Sequence, residues 1–170
     1  PLAHTTNSVL GGNSVGLPHF FALRAIFLND ASLALLKQLL SSIRSLHPQI
    51  SIIWNHSGMW CRVLNNNLAS EFLLSVFDCF STFYIRDRSC VVHVLTHDLD
   101  AALSDISARS TCALEILDDP GQGAKFQVRT LSDANTESTA AVPLLPTPGK
   151  ASAHLTGALW PERCVINLAN

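Results

Sequence analysis

The segment 30–48 restricts the fold more than any other stretch of the chain. Leu33, Leu36, Leu40 and Ile43 recur at helical spacing, flanked by Leu35, Leu39 and Leu46, and Pro48 closes the run. Asp30 is placed to cap the start. About 17 residues at ~1.5 Å each predict a helix ~25 Å long, with one leucine face that has to be buried. Its other face carries Lys37, Ser41 and Arg44, spaced as neighbours on one stripe.

The rest of the chain has to supply something for that face to pack against, and it reads mainly as strands. Residues 20–28 are apolar on both alternating faces, which predicts a central strand or one covered on both sides. Strands at 50–55 and 59–64 follow, joined through His56-Ser57-Gly58 as a hairpin, and Asn65-Asn66-Asn67 reads as a loop. The stretch 71–77 fits a strand or a helical turn, and 82–86 and 90–95 read as strands. A second helix is predicted over 96–109, capped by Thr96, with Asp98 and Asp100 in its first turns and Arg109 near its C-terminus. Leu99, Leu103 and Ile106 form its buried stripe. Strands at 112–117 and 125–131 flank the turn signal Asp118-Asp119-Pro120-Gly121. A last strand at 139–145 contains Pro143, which predicts a sheet edge, because proline has no N–H to donate to a ladder.

This order predicts an α+β domain at 18–146, with two helices packed on one face of an antiparallel curved sheet. Residues 1–17, rich in Gly, Ser, Asn and Thr, read as a flexible leader, and 147–163 as an interdomain linker. Cys164-Val165-Ile166-Asn167-Leu168 starts a fresh strand, so 164–170 read as the opening of a second domain.

Composition excludes several function classes. Of 170 residues, 48% are hydrophobic and 14% charged, which favours a well-buried core over disorder. The net charge of −2 is not that of a dedicated nucleic-acid binder. The apolar runs are interrupted by Lys37, Arg44 or Arg62, so no membrane span is expected. Nor does the chain open with the basic and apolar regions of a signal peptide. Five scattered cysteines (Cys61, Cys79, Cys90, Cys112, Cys164) without CxxC spacing read as reduced, mostly buried thiols of an intracellular protein. In that compartment the triplet Asn55-His56-Ser57 is a glycosylation site in spelling only.

Catalytic and metal chemistry find little support. His93, His97 and Cys90 are close in sequence, but His93 is expected on a strand and His97 on the next helix, so no metal or cofactor site is expected. No phosphate-binding glycine loop, GxSxG or HExxH occurs, and Asp118-Asp119 reads as a solvated turn. Charge is divided along the chain. Residues 31–70 contain no acid against Lys37, Arg44 and Arg62, whereas 71–119 hold nine acids against three bases. The first helix therefore offers a mildly basic stripe to a polyanion, although two cations give only weak, salt-sensitive phosphate binding.

A resemblance sharpens these expectations. Ser57-Gly58-Met59-Trp60-Cys61, followed by Glu71-Phe72, resembles the Met-Trp-Cys strand and Glu-Phe segment of the Hus-type subunit of the DNA-damage checkpoint clamp. The strand at 21–27, the helix at 33–46, the strand at 90–95 and the helix containing Leu99 and Leu103 agree in order. Val142-Pro143-Leu144 is similar to that family's strand before its linker, and Cys164-Val165-Ile166 to the strand opening the second half of sliding clamps, proliferating cell nuclear antigen (PCNA) included. The resemblance covers roughly 20–168 and rests on the ordered set of motifs.

It implies a PCNA-like clamp domain in a non-enzymatic, nuclear subunit. Two other clamp-family subunits would complete a heterotrimeric ring around double-stranded DNA, set there by a clamp loader as a platform for checkpoint and repair proteins. Lys37, Ser41, Arg44 and Arg109 would then face DNA, in contacts independent of base sequence. Thr139, Ala141, Val142, Leu144 and Leu145 would lie at the subunit interface, and the linker would border a groove for partner peptides. Asp98, Asp100 and Asp105 depart from the pattern, since a clamp prefers bases on that helix; the 1–17 leader departs too. Two alternatives stand beside this reading. One is a homotrimeric replication clamp subunit; the other is a small α+β enzyme using Cys90 or Cys112 with a histidine.

Overall fold

In the computed structural model, residues 21–65, 68–107, 110–119, 121 and 123–146 are described. The expected leader 1–17, linker 147–163 and terminal strand 164–170 lie outside them. The elements run β1 (Phe21–Phe27), α1 (Asp30–Arg44), β2 (Gln49–Asn55), β3 (Gly58–Asn65), β4 (Leu68–Ser75), α2 (Val76–Cys79), β5 (Phe80–Ile85), β6 (Ser89–Leu95), α3 (Thr96–Ser104), β7 (Thr111–Asp119), β8 (Gly123–Leu131) and β9 (Glu137–Val142).

The strands form two antiparallel sheets, five-stranded in the order β5-β1-β7-β8-β9 and four-stranded in the order β4-β3-β2-β6. β1 is flanked on both sides, as its two apolar faces required. Ambiguity at 71–77 resolves into a strand to Ser75 and then the single turn α2, where the Ser75 hydroxyl accepts the Phe77 N–H. Gly58 permits the tight β2–β3 hairpin. Its φ is +136°, and a Cβ there would lie 2.0 Å from the Leu74 carbonyl oxygen.

One apolar core joins both sheets to the helices. α1 contributes Leu33, Leu36, Leu40 and Ile43, and α3 contributes Leu99 and Leu103. Against them stand Leu23, Ala25 and Phe27 of β1, Leu114 and Ile116 of β7, and Ile50, Ile52 and Trp54 of β2. Full burial of a leucine contributes about 1.5–3 kcal/mol, so Leu36 and Leu40 alone anchor α1 firmly. Trp54 joins the two sheets: its ring centroid lies 6.3 Å from that of Phe80 and 6.2 Å from that of Phe83, both on β5.

Several local expectations are corrected. The cap of α1 is Asn29, whose side-chain oxygen accepts the Ser32 N–H at 2.9 Å; Asp30 is the first helical residue. Thr96 does not cap α3. Its hydroxyl, fully buried, donates to the His47 carbonyl at 2.6 Å and ties the start of α3 to the loop after α1. α3 stops at Ser104, not 109. β9 ends at Val142, with Pro143 just past the strand, although the edge position that Pro143 predicted is the one found. No helix among the described residues is long and apolar enough to cross a membrane.

Candidate nucleic-acid and subunit interfaces

α1 and α3 lie side by side, and their outer surface is where the first group of candidates falls. Ser41 is exposed there. Lys37 is half-buried, and its ammonium donates to the Ile106 carbonyl at 3.0 Å, beside the C-terminal end of α3, where a cation is favoured. Arg44 reaches the Asp100 carboxylate at 2.7 Å, with side-chain exposures of 54% and 18%. Arg109 lies outside the described residues. Both cations that α1 contributes are thus engaged with α3 or the residues just after it. α1 and α3 also carry Asp30, Asp98 and Asp100, with Asp105 directly behind, so this surface is not a positive one. Sequence reasoning missed the two tethers because each joins residues more than fifty positions apart.

The second group lies at the end of the larger sheet. Among the described residues β9 pairs with β8 alone, through Gln127 opposite Ala141 and Arg129 opposite Thr139, and none of them pairs with its other side. Thr139 and Ala141 are exposed. Val142 is not at a surface; it is 2% exposed and packs in the core opposite Phe126. Leu144 packs against the same core, and the Leu145 N–H donates to the His93 carbonyl of β6 at 2.8 Å, carrying the chain from one sheet to the other.

A charged network holds this edge from the face opposite the core. Glu115 of β7 is fully buried, with Arg24 Nε 3.2 Å from one carboxylate oxygen and Gln127 Nε2 donating to the other at 2.8 Å. The Arg24 approach is off-line, so the contact is ionic and lacks hydrogen-bond geometry. Arg129 lies 3.9 Å from Glu115 and 2.8 Å from Glu137 on β9. The Arg129 guanidinium holds the Glu137 carboxyl below its usual range.

The residues considered for chemistry do not converge. The His93 ring contacts the Ser51 hydroxyl at 2.8 Å, and burial lowers its pKa; His97 is exposed beside Asp98. Among the described residues no group of three His, Cys, Asp or Glu side chains could hold a metal. Cys61, Cys79 and Cys112 are buried and Cys90 is half-buried; Cys164 lies outside the described residues. Burial pushes the Cys61 and Cys112 thiols up to about 12, and raises those of Cys79 and Cys90. A nucleophilic thiol needs the opposite shift. Asp118 is not merely solvated, since Arg86 donates to its carboxylate at 2.8 Å.

No protein-family profile matches the chain, and no curated protein matches it. Solved structures do. The proliferating cellular nuclear antigen of Entamoeba histolytica is similar over 75% of this chain and 49% of its own length, at 15% identity and a TM-score of 0.63. A PCNA2–PCNA3 complex from Sulfolobus tokodaii is similar over 86% of this chain and 51% of its own, at 16% identity and 0.59. PCNA from Thermococcus kodakaraensis gives the same coverage, at 15% identity and 0.59. The fold is therefore PCNA-like, and the chain spans about half the length of these structures.

Proposed function

We propose that this chain supplies one domain of a subunit of a ring-shaped clamp that encircles DNA. The observation that carries the reading is β9, an exposed strand that pairs on one side only among the described residues, in a domain whose fold is that of the PCNA structures. An open edge offers a row of N–H and C=O groups to a strand of a neighbouring subunit. Thr139 and Ala141 are the residues of β9 that such a neighbour would meet, with Leu144 and Leu145 at the margin.

The ring we favour is heterotrimeric and serves DNA-damage signalling and repair in the nucleus, loaded by a clamp loader. Two observations support it over a homotrimeric replication clamp: the Met-Trp-Cys stretch, and a helix surface on which Lys37 and Arg44 are both engaged. With so little free positive charge, grip on phosphates falls to the other two subunits. The raised thiol pKa values argue against the cysteine-enzyme alternative.

The test is the solution mass, by light scattering, of the two-domain subunit alone and with candidate clamp partners. A 1:1:1 assembly that needs this chain, and that Thr139→Lys with Ala141→Lys abolishes without unfolding, is the expected result. Self-assembly into a trimer would replace it with the replication clamp. A monomer indifferent to every partner would remove the ring reading.

A further inference from the structure

The outer face of the smaller sheet carries an apolar row. In register across its four strands stand Leu73 of β4, Trp60 of β3, Ile53 of β2 and Val91 of β6. Leu73 and Val91 are 40% and 50% exposed, and Trp60 and Ile53 half-buried. The neighbouring rows are polar, with Arg62 and Ser51 on one side and Asn55 and Ser89 on the other.

Size argues against a second globular surface as the occupant. A stable protein–protein contact buries about 800 Å² on each side, over roughly 20–30 residues. Four side chains in single file between polar rows fall far short of that. The row spans about 14 Å, at ~4.8 Å per strand. In an extended segment alternate side chains recur every ~6.7 Å, so three apolar residues at i, i+2 and i+4 cover about 13 Å. A short strand laid across the sheet therefore matches the row in length and in width.

Charge and hydrogen bonding select the kind of segment. Among the described outward-facing residues of these four strands Glu71 is the one acid, and Arg62 engages it at 3.2 Å. Arg88, exposed and directly before β6, is in no ion pair among the described residues; Asp87 beside it is taken by Arg86 at 3.4 Å. The row is thus flanked by Arg62 on one side and Arg88 near the other. Trp60 Nε1 and Arg62 Nε, successive outward positions of β3, are shielded donors without an acceptor among the described residues. A ligand rich in carbonyl and carboxylate oxygens supplies acceptors to both once the two side chains turn outward.

We infer that the row Leu73–Trp60–Ile53–Val91 is a docking site for an extended, acidic segment of another protein, with apolar residues at alternate positions and Asp or Glu beside them. The apolar side chains lie along the row, and the carboxylates meet Arg62 and Arg88. Ring formation does not enter the argument, and the test needs no ring partner.

The test pans a random peptide library, displayed on phage, against the 170-residue chain and measures the selected peptides by fluorescence anisotropy. Selected sequences are expected to alternate Leu, Val or Phe with polar residues and to carry flanking acids. Leu73→Ser with Val91→Ser, at positions already exposed, is expected to weaken their binding about tenfold or more. Arg88→Glu, on an exposed loop, is expected to weaken it about threefold at low salt and hardly at all at high salt. Unchanged urea midpoints serve as the folding control, and Arg88→Glu keeps the test decisive if the serine variant unfolds. A library that yields no selective binder, binders without acids, or binders indifferent to these substitutions would overturn the site. So would self-association of the unsubstituted chain that the two serines abolish, which would assign the row to a second copy.

Discussion

The Arg44 guanidinium lies 2.7 Å from the Asp100 carboxylate, so the most exposed cation of α1 is neutralised by the helix beside it. In a clamp, that surface would face the DNA. Asp100→Asn should leave the guanidinium free and make DNA binding by the assembled ring tighter at low salt. The slope of log K against log salt should steepen by up to about one per copy. An exposed pair of this kind contributes no more than about 1 kcal/mol, so the melting temperature should hardly move. Unchanged binding across a salt titration would show that Arg44 does not face DNA.

Glu115 should matter to stability far more than to any surface. Glu115→Ala leaves the Arg24 guanidinium, 17% exposed, without its carboxylate, and frees Gln127 and Arg129 of a shared partner. Breaking a buried pair from one side costs about 3 kcal/mol. Urea unfolding should register that loss, and Arg24→Met with Glu115→Leu should recover most of it. A loss under 1 kcal/mol would mean the pair is effectively solvated.

Gly58 should tolerate no side chain. Ala at φ +136° would bring its Cβ to 2.0 Å from the Leu74 carbonyl oxygen, so β3 and β4 must separate at the hairpin. The expected cost is at least about 2 kcal/mol, seen as a lower urea midpoint. A neutral Gly58→Ala would contradict the register that sets Gly58 opposite Ser75.

The buried thiols predict a loss of stability in alkali. Burial raises Cys61 and Cys112 from 9.0 to about 12, so the unfolded chain gives up these protons first. The native state then binds more protons than the unfolded one. Their contribution is complete below pH 9, declines as pH rises above it and is gone past about 12. Unfolding free energy measured from pH 8 to 11 should fall with a steeper slope than in Cys61→Ala with Cys112→Ala. Thiol labelling of the native protein at pH 8 should be slow at Cys61, Cys90 and Cys112, whose pKa values burial raises; fast labelling of Cys90 or Cys112 would revive the enzyme reading.

Periodicity carried most of the architecture. The leucine spacing from Leu33 to Ile43 specified α1, and alternation specified β1 as central and β2 and β3 as a hairpin, because burying one face imposes a period that sequence displays directly. Pro143 marked the edge by the donor it lacks. Capping was less legible. Asn29 and Asp30 are adjacent and both suitable, and the choice fell to whichever side chain met the Ser32 N–H. Thr96 fits a cap by type, yet its hydroxyl was claimed by the His47 carbonyl, forty-nine residues away.

What sequence alone determined, then, is the α+β order, the leucine core and an open strand near 139. Tertiary structure decided the split into two sheets with Trp54 at their junction, the engagement of Lys37 and Arg44, the burial of Val142 and the alignment of Leu73, Trp60, Ile53 and Val91. The physical reason is common to all of these. Periodic burial is a local property repeated every two or 3.6 residues. Ion pairs and cross-strand rows depend on which distant segments the register brings within a few ångströms, and a single chain read in order carries no mark of that.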